Sequence, residues 1–154
     1  MGKKVEMKIR KAKKSDLNQY VSLVGVSNKE YEKIIGKKIK FRNEEIIRDF
    51  NKYTRSKNKI ILVSLNKRKI IGYLVASIKT GHIDFLYVSN RFRKRGVAKR
   101  LIRVYSRILQ KKRVKRIRLE VNPRNKKAIK FYEKIGFKNL GLIRKSKIGF
   151  EYEL

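Results

Sequence analysis

The stretch Ile83–Ile102, IDFLYVSNRFRKRGVAKRLI, holds two kinds of order separated by one glycine. Its first six residues form a short, largely apolar run of strand length. After Gly96, the residues Val97, Leu101, Val104, Tyr105 and Ile108 recur on one helical stripe. Gly96 is therefore read as a strand-to-helix turn, in the first turn of a helix over roughly 95–111. Six Lys or Arg side chains crowd residues 91–102. Free amides at a helix start, with the helix dipole, favour an anion, and glycine lets it approach the backbone closely. With Arg93, Lys94 and Arg95 beside it, the expected ligand is a phosphate or pyrophosphate. No Gly-Lys-Ser/Thr follows, so this is not a P-loop. One glycine does not make a dinucleotide fingerprint. A plain helix start with a solvated basic face is the alternative.

Outward from this stretch the chain alternates strand and helix signals. A first strand is expected over 5–12. A helix over 13–24 follows, with Ser15 or Asp16 as cap and Leu17, Tyr20, Val21 and Val24 on one face. Residues 31–41 are ambiguous. Residues 43–54 read as a helix with Asn43 as cap and two glutamates in the first turn. KIILVSL and KIIGYLVASIK form a hairpin around NKRK, and 81–88 is the next strand. After the basic helix come a strand over 116–122, a helix over 125–136 and two closing strands. The order β-α-α-β-β-β-α-β-α-β-β implies a mixed α/β sheet. With a single proline and no linker, 1–154 is expected to be a single domain.

Composition narrows the chemistry. A 41% hydrophobic content supports a folded core. The absence of cysteine excludes disulfides, thiolate metal sites and cysteine nucleophiles, and the lone His82 argues against a metal site. No apolar run is long enough to span a membrane, and MGKKVEMKIR lacks the apolar core of a signal peptide. A cytoplasmic protein with no membrane contact is expected. The outlier is charge: 45 Lys+Arg against 12 Asp+Glu, net +33. Twelve acids cannot pair with 45 bases, so an ion-pair network does not explain the excess. Bound anions would relieve the self-repulsion; a generally lysine-rich composition is the alternative.

RKRGVA (93–98) resembles the Arg/Gln-x-x-Gly-x-Gly/Ala motif of the GNAT superfamily of N-acetyltransferases, which holds the pyrophosphate of acetyl-CoA in that family. The surroundings are similar too. IDFLYVSNRFRKRGVAKRLI resembles the family's fourth strand, loop and third helix; LEVNPRNKKAIKFYEKIGF (119–137) its fifth strand and fourth helix; MKIRKAKKSDLNQYVSLV its first strand and helix. Residues 25–45 match least. The segment 119–137 resembles most the RimI-type ribosomal-protein alanine N-acetyltransferases and their archaeal relatives. Pro123 and the short KTGH connection (79–82) depart from the pattern and leave the substrate open.

The resemblance implies an α/β GNAT fold: a mixed, mostly antiparallel sheet of about seven strands with about four helices, splayed between the fourth and fifth strands. It implies an acetyl-CoA-dependent N-acetyltransferase, with acetyl-CoA as donor and no metal. The backbone of Leu86, Tyr87 and Val88 would hold the pantetheine arm. Arg93, Lys94, Arg95, Gly96, Val97, Ala98 and Lys99 would hold the phosphates. Asn125 either binds the cofactor or caps its helix. Glu120 would be the general base, through a water, and Tyr132 the general acid. Glu120 is the only acid between Asp84 and Glu133, with a salt bridge to a neighbour such as Arg118 as the alternative. Tyr132 shares a helical face with Ala128 and Ile135, so a core tyrosine is the alternative. His82 and Asp84 are rival bases. The implied acceptor is a protein or peptide amine, above all an N-terminal α-amine, ribosomal proteins included. Residues 85–119 hold 14 Lys/Arg and no acid, more than a coenzyme needs. Non-specific RNA or DNA contact through the third helix would use the remainder. A small-molecule amine acetyltransferase and a nucleic-acid-binding module on the same scaffold are the alternatives.

Overall fold

The computed structural model describes residues 6–154. Strand β1 (Lys8–Lys11) leads into helices α1 (Leu17–Ile35) and α2 (Asn43–Thr54). Strands β2 (Lys59–Asn66), β3 (Lys69–Ser77) and β4 (Ile83–Val88) follow, then α3 (Val97–Lys111), β5 (Arg116–Val121), α4 (Lys126–Lys134), β6 (Lys138–Arg144) and β7 (Lys147–Glu153). The element order is the one expected from the sequence. The expected first strand begins at Val5, which lies outside the described residues; its paired part is shorter.

Four local readings change. Residues 31–35 extend α1, and the chain leaves it through Gly36 in the left-handed region (φ +70°). Asn43 is the first residue of α2 and not its cap; Arg42 holds the cap position, and no side chain caps there. Gly96 precedes α3 and does not sit within its first turn. Asp16 precedes α1, but its carboxylate turns back to accept from the Lys13 amide at 2.7 Å and from Arg10 at 2.7 and 3.1 Å. That clasp fixes the exit of β1 against the start of α1.

The strands form two antiparallel sheets, β1-β2-β3-β4 and β5-β7-β6. Nearly every residue of β2 and β3 is buried, because helices cover both faces. On one face, α1 packs on β3 and α2 on β2, around Tyr20, Phe50 and Tyr73; ring centroids lie 5.0 and 5.2 Å from Tyr20. On the other face, α3 presses Val97, Leu101, Tyr105 and Leu109 into the core and α4 adds Tyr132. The helical spacing of those apolar residues is what turns every basic side chain of α3 outward.

The two sheets meet at one seam. The Arg118 amide donates to the Gly81 carbonyl at 2.9 Å, and His82 and Arg118 form a parallel bridge. Gly81 has φ +80°, and a Cβ there would lie 2.0 Å from the Arg116 carbonyl oxygen. Only glycine lets the strands approach this closely. No further pairing joins β4 to β5 among the described residues, so the seam opens from that point.

Candidate active site

The free edge of β4 is the first element of the site. Ser89 N–H donates to the Ile71 carbonyl at 2.8 Å. Alternation along an antiparallel pair then directs the backbone groups of Leu86 and Val88 away from β3, toward the open seam. The Val88 carbonyl, so directed, accepts from Arg93 Nε at 2.9 Å. Nearer the closed end, Ala76 pairs with Ile83 but Val75 with Phe85, so Asp84 is the extra residue of a β-bulge.

That bulge lies in a pocket of about 460 Å³ on the α2 side of the seam. β4 and the residue before it contribute His82–Phe85, β5 contributes Glu120, α2 contributes Asp49 and Tyr53, β2 contributes Lys59, and the facing ends of β6 and β7 contribute Arg144 and Lys147. Within it, His82 Nδ1 lies 3.0 Å from Asp84 Oδ1, and Lys59 Nζ bonds the other carboxylate oxygen. Burial pushes the Asp84 carboxyl up, but the bonds from His82 and Lys59 outweigh it and hold it below the usual carboxylate range. Glu120 accepts from Arg144. Its partner is thus not Arg118, which bonds Glu151 at 3.0 Å, its opposite number across the β5–β7 ladder.

Tyr132 is placed differently. It is 8% exposed and packs against Phe131, Phe137 and Phe150, with ring centroids 5.2, 5.3 and 5.7 Å away. Burial pushes its phenol well above the ordinary value, so it holds its proton. It borders the same sheet as Glu120 but does not line the pocket that holds Glu120.

At the wide end of the seam lies the glycine loop. Gly96 takes φ +79°, and a Cβ there would meet nothing within 4 Å. The requirement for glycine is thus conformational, and the space before it is open. The first bond into the helix runs from Arg100 N–H to the Gly96 carbonyl at 3.0 Å. No side chain caps α3, which leaves the amides of Val97, Ala98 and Lys99 facing out at its positive end. Lys94, Arg95 and Lys99 are exposed around it. Arg93 is exposed too, but its guanidinium is engaged: it bonds Glu30 of α1 and lies 5.4 Å from the centre of the Tyr87 ring. Tyr87 also donates to Glu30 at 2.9 Å, and burial, reinforced by that carboxylate, pushes its phenol up to about 12.

A second pocket of about 470 Å³ opens beside the loop, between the end of α1 (Glu30, Lys33, Ile34), the exit of β4 (Asn90, Arg93) and residues Arg124–Lys127. Arg124 ties its walls together by donating to the Ile35 carbonyl at 2.7 Å. Asn125 borders it, and its side chain accepts from the Ala128 amide at 3.3 Å, capping α4. The sequence did not single out Glu30, Arg124, Lys59 or Arg144. Each is distant in sequence from the residue it contacts, and no local pattern marks it.

The sequence profile of the acetyltransferase (GNAT) family matches residues 25–137. The chain belongs to the acetyltransferase (GNAT) family. It is an acetyl-CoA-dependent acetyltransferase of the GNAT type. No curated protein sequence matches it. Among solved structures, an acetyltransferase from Thermus thermophilus superposes with TM-score 0.80 at 17% identity, covering 96% of this chain and 97% of its own. The PaiA N-acetyltransferase of Thermoplasma acidophilum, in complex with coenzyme A, gives TM-score 0.78 at 22% identity, over 97% and 99%. A putative streptothricin acetyltransferase of Bacillus anthracis, in complex with acetyl coenzyme A, gives TM-score 0.59 at 28% identity, over 68% and 67%. The GNAT fold expected from the sequence is the fold observed: seven strands in two antiparallel sheets, opened between β4 and β5. No helix among the described residues is long and apolar enough to cross a membrane.

Proposed function

We propose that this acetyltransferase acts on the N-terminal α-amine of a protein, in the manner of the RimI-type enzymes that residues 119–137 resemble. The observation that supports it best is the pocket on the α2 side of the splayed seam, which Glu120 and the His82–Asp84 pair line together beside the free edge of β4.

Donor binding falls to the opposite, wide end. The open space before Gly96 and the uncapped amides of Val97, Ala98 and Lys99 fit a pyrophosphate, with Lys94, Arg95 and Lys99 neutralising it. The outward backbone groups of Leu86 and Val88 fit an amide-bearing arm along β4; Tyr87 holds the strand through Glu30. When bound, acetyl-CoA supplies the thioester that is attacked. Glu120 takes the proton of the acceptor ammonium through a water. Tyr132, kept protonated by burial, supplies a proton to the departing sulfur. Asn125 serves as cap and lends its exposed edge to the wall of the second pocket.

The α-amine is favoured by arithmetic. Its pKa of about 7.7–8.0, against about 10.4 for lysine, spares the site roughly 3.4 kcal/mol of deprotonation. A pocket whose carboxylates are already held by Arg144, Lys59 and His82 is poorly suited to supply that extra amount. The test is mass spectrometry of a mixed reaction of ribosomal proteins, N-terminal peptides and lysine peptides. The expected products are N-terminally acetylated; acetylation confined to internal lysines would overturn the assignment.

The Glu120–Arg144 pair favours a second reading of the base. Hydrogen bonding of His82 Nδ1 to Asp84 leaves Nε2 as the free ring nitrogen, in the same pocket. His82 is then the proton acceptor and Glu120 a group that orients the amine.

A further inference from the structure

The acidic residues are distributed unevenly over the fold. All 12 lie among the described residues, and none falls between residues 85 and 119, where 14 bases do. The α1–α2 segment, residues 17–57, carries five acids beside its ten bases. A merely lysine-rich composition would dilute both segments alike.

The structure gives this asymmetry a place. On α3, Lys99, Arg103, Arg107 and Lys111 follow one another at four-residue spacing with Arg100 beside them, and all five are exposed. On α4, which packs into the same core cluster, Lys126, Lys127, Lys130 and Lys134 are exposed as well. Within the described residues, no base from Lys94 to Lys115 takes part in an ion pair; Arg93, Arg116 and Arg118, which flank the run, do. Like charges four residues apart on a helix repel, and nothing within the described residues relieves this row. Only the N-terminal end of the row borders the glycine loop, so the donor's phosphates leave Arg103, Arg107 and Lys111 unneutralised.

We propose that the outer face of α3, flanked by α4, docks the phosphate backbone of a nucleic-acid duplex. At about 1.5 Å per residue, the row from Lys99 to Lys111 is about 18 Å long. Over about 18 Å of duplex axis one strand carries about five phosphates, one about every 3.4 Å of rise, so the five cations match that length of strand in charge. Single strands are bound by stacking bases on aromatic side chains. No aromatic residue of α3 or α4 is exposed: Tyr105 and Tyr132 are buried and Phe131 is half-buried. Contact is therefore with backbone and blind to sequence. The acceptor pocket opens on the α2 side, away from this face, so a bound duplex leaves it free.

The test is fluorescence anisotropy with a mixed-sequence DNA duplex of about 20 base pairs and the matching single strand, across a salt series. Three proteins are compared: wild type, the variant Arg103→Gln, Arg107→Gln, Lys111→Gln, and a control on the other face, Arg48→Gln, Lys52→Gln, Arg55→Gln. Circular dichroism confirms that each is folded. Wild type should bind the duplex more tightly than the single strand. The α3 variant should lower the log–log salt slope by about 2.7, some 0.9 per lost contact, with at least about tenfold weaker binding at physiological salt. Its affinity for coenzyme A, read by calorimetry, should be unchanged. The control should shift duplex binding by less than about twofold. Absent salt-dependent binding by wild type, equal losses in both variants, or preference for the single strand would each overturn the proposal.

Discussion

Single side chains decide both stability and chemistry here. Asp16 is the clearest structural case: its side chain is 7% exposed, and Arg10 and the Lys13 amide both bond it. The hydrogen bond from Arg10 holds its carboxyl below the usual range despite burial. A carboxyl lowered in the folded state contributes fully above its unfolded value of about 3.9 and loses that contribution as pH falls through the folded value. Asp16→Asn should therefore cost about 3 kcal/mol at pH 7, as expected for a broken part-buried pair. The loss should shrink as pH falls through the lowered folded value, which urea melts across an acid pH series will show. At the seam pocket, if the proposed function holds, Glu120→Gln lowers kcat/KM by about 10²-fold at pH 7, where the amine is largely protonated. The deficit should shrink toward none above about pH 9, where the α-amine is already free. If His82→Asn shows that pH dependence and Glu120→Gln a flat loss, His82 is the base. Tyr132 offers a contrasting profile. Because burial raises its phenol, it keeps its proton across the working range. Tyr132→Phe should accordingly lower kcat by a factor that stays constant from about pH 6 to 10, with coenzyme A affinity unchanged.

At the scale of elements, one turn does two tasks. The loop from β4 to α3 must reverse the chain and leave helix amides uncovered, and Gly96 at φ +79° satisfies both. Any L side chain there meets a left-handed backbone, costing about 1–2 kcal/mol, but meets no neighbouring atom. Gly96→Glu should thus remain folded while placing a carboxylate before the free amides. Calorimetry should detect no coenzyme A binding by this variant; binding at wild-type affinity would show that the loop is not the phosphate site. The link from α1 to the loop works alongside this turn. Glu30 holds Arg93 and Tyr87, and Arg124 holds the Ile35 carbonyl, so the end of α1 is braced against the mouth of the seam.

Taken as a whole, the molecule is a strongly positive body with a pocket in which each carboxylate has a basic partner. Such a field attracts acidic chains and repels basic ones over roughly the Debye length, about 8 Å at physiological salt. Peptides with Asp or Glu after the N-terminal residue should show a lower KM than Lys-bearing counterparts, by about tenfold in low salt, and the gap should close near 1 M salt. Steady-state kinetics on a matched peptide pair checks this. The same charge shows how far the sequence reads on its own. The periodicity of α3, the strand-length run before it and the glycine between them fixed a strand–turn–helix with a basic outer face, because each signal lies within a few residues. The order of strands and helices was legible for the same reason. The 31–41 segment was not, since propensity alone does not say where a long helix stops. Pairing across the fold lay further out of reach: Glu120 with Arg144, Arg93 with Glu30, and Lys59 with Asp84 are contacts between residues 24 to 63 positions apart. Which of the many bases meets one of the few acids depends on how two sheets splay around Gly81, a matter of backbone packing that no local pattern encodes. Tertiary structure therefore decided which side chains line the pocket, while the sequence by itself determined the glycine loop and the cationic face, because local helix and turn physics suffices for both.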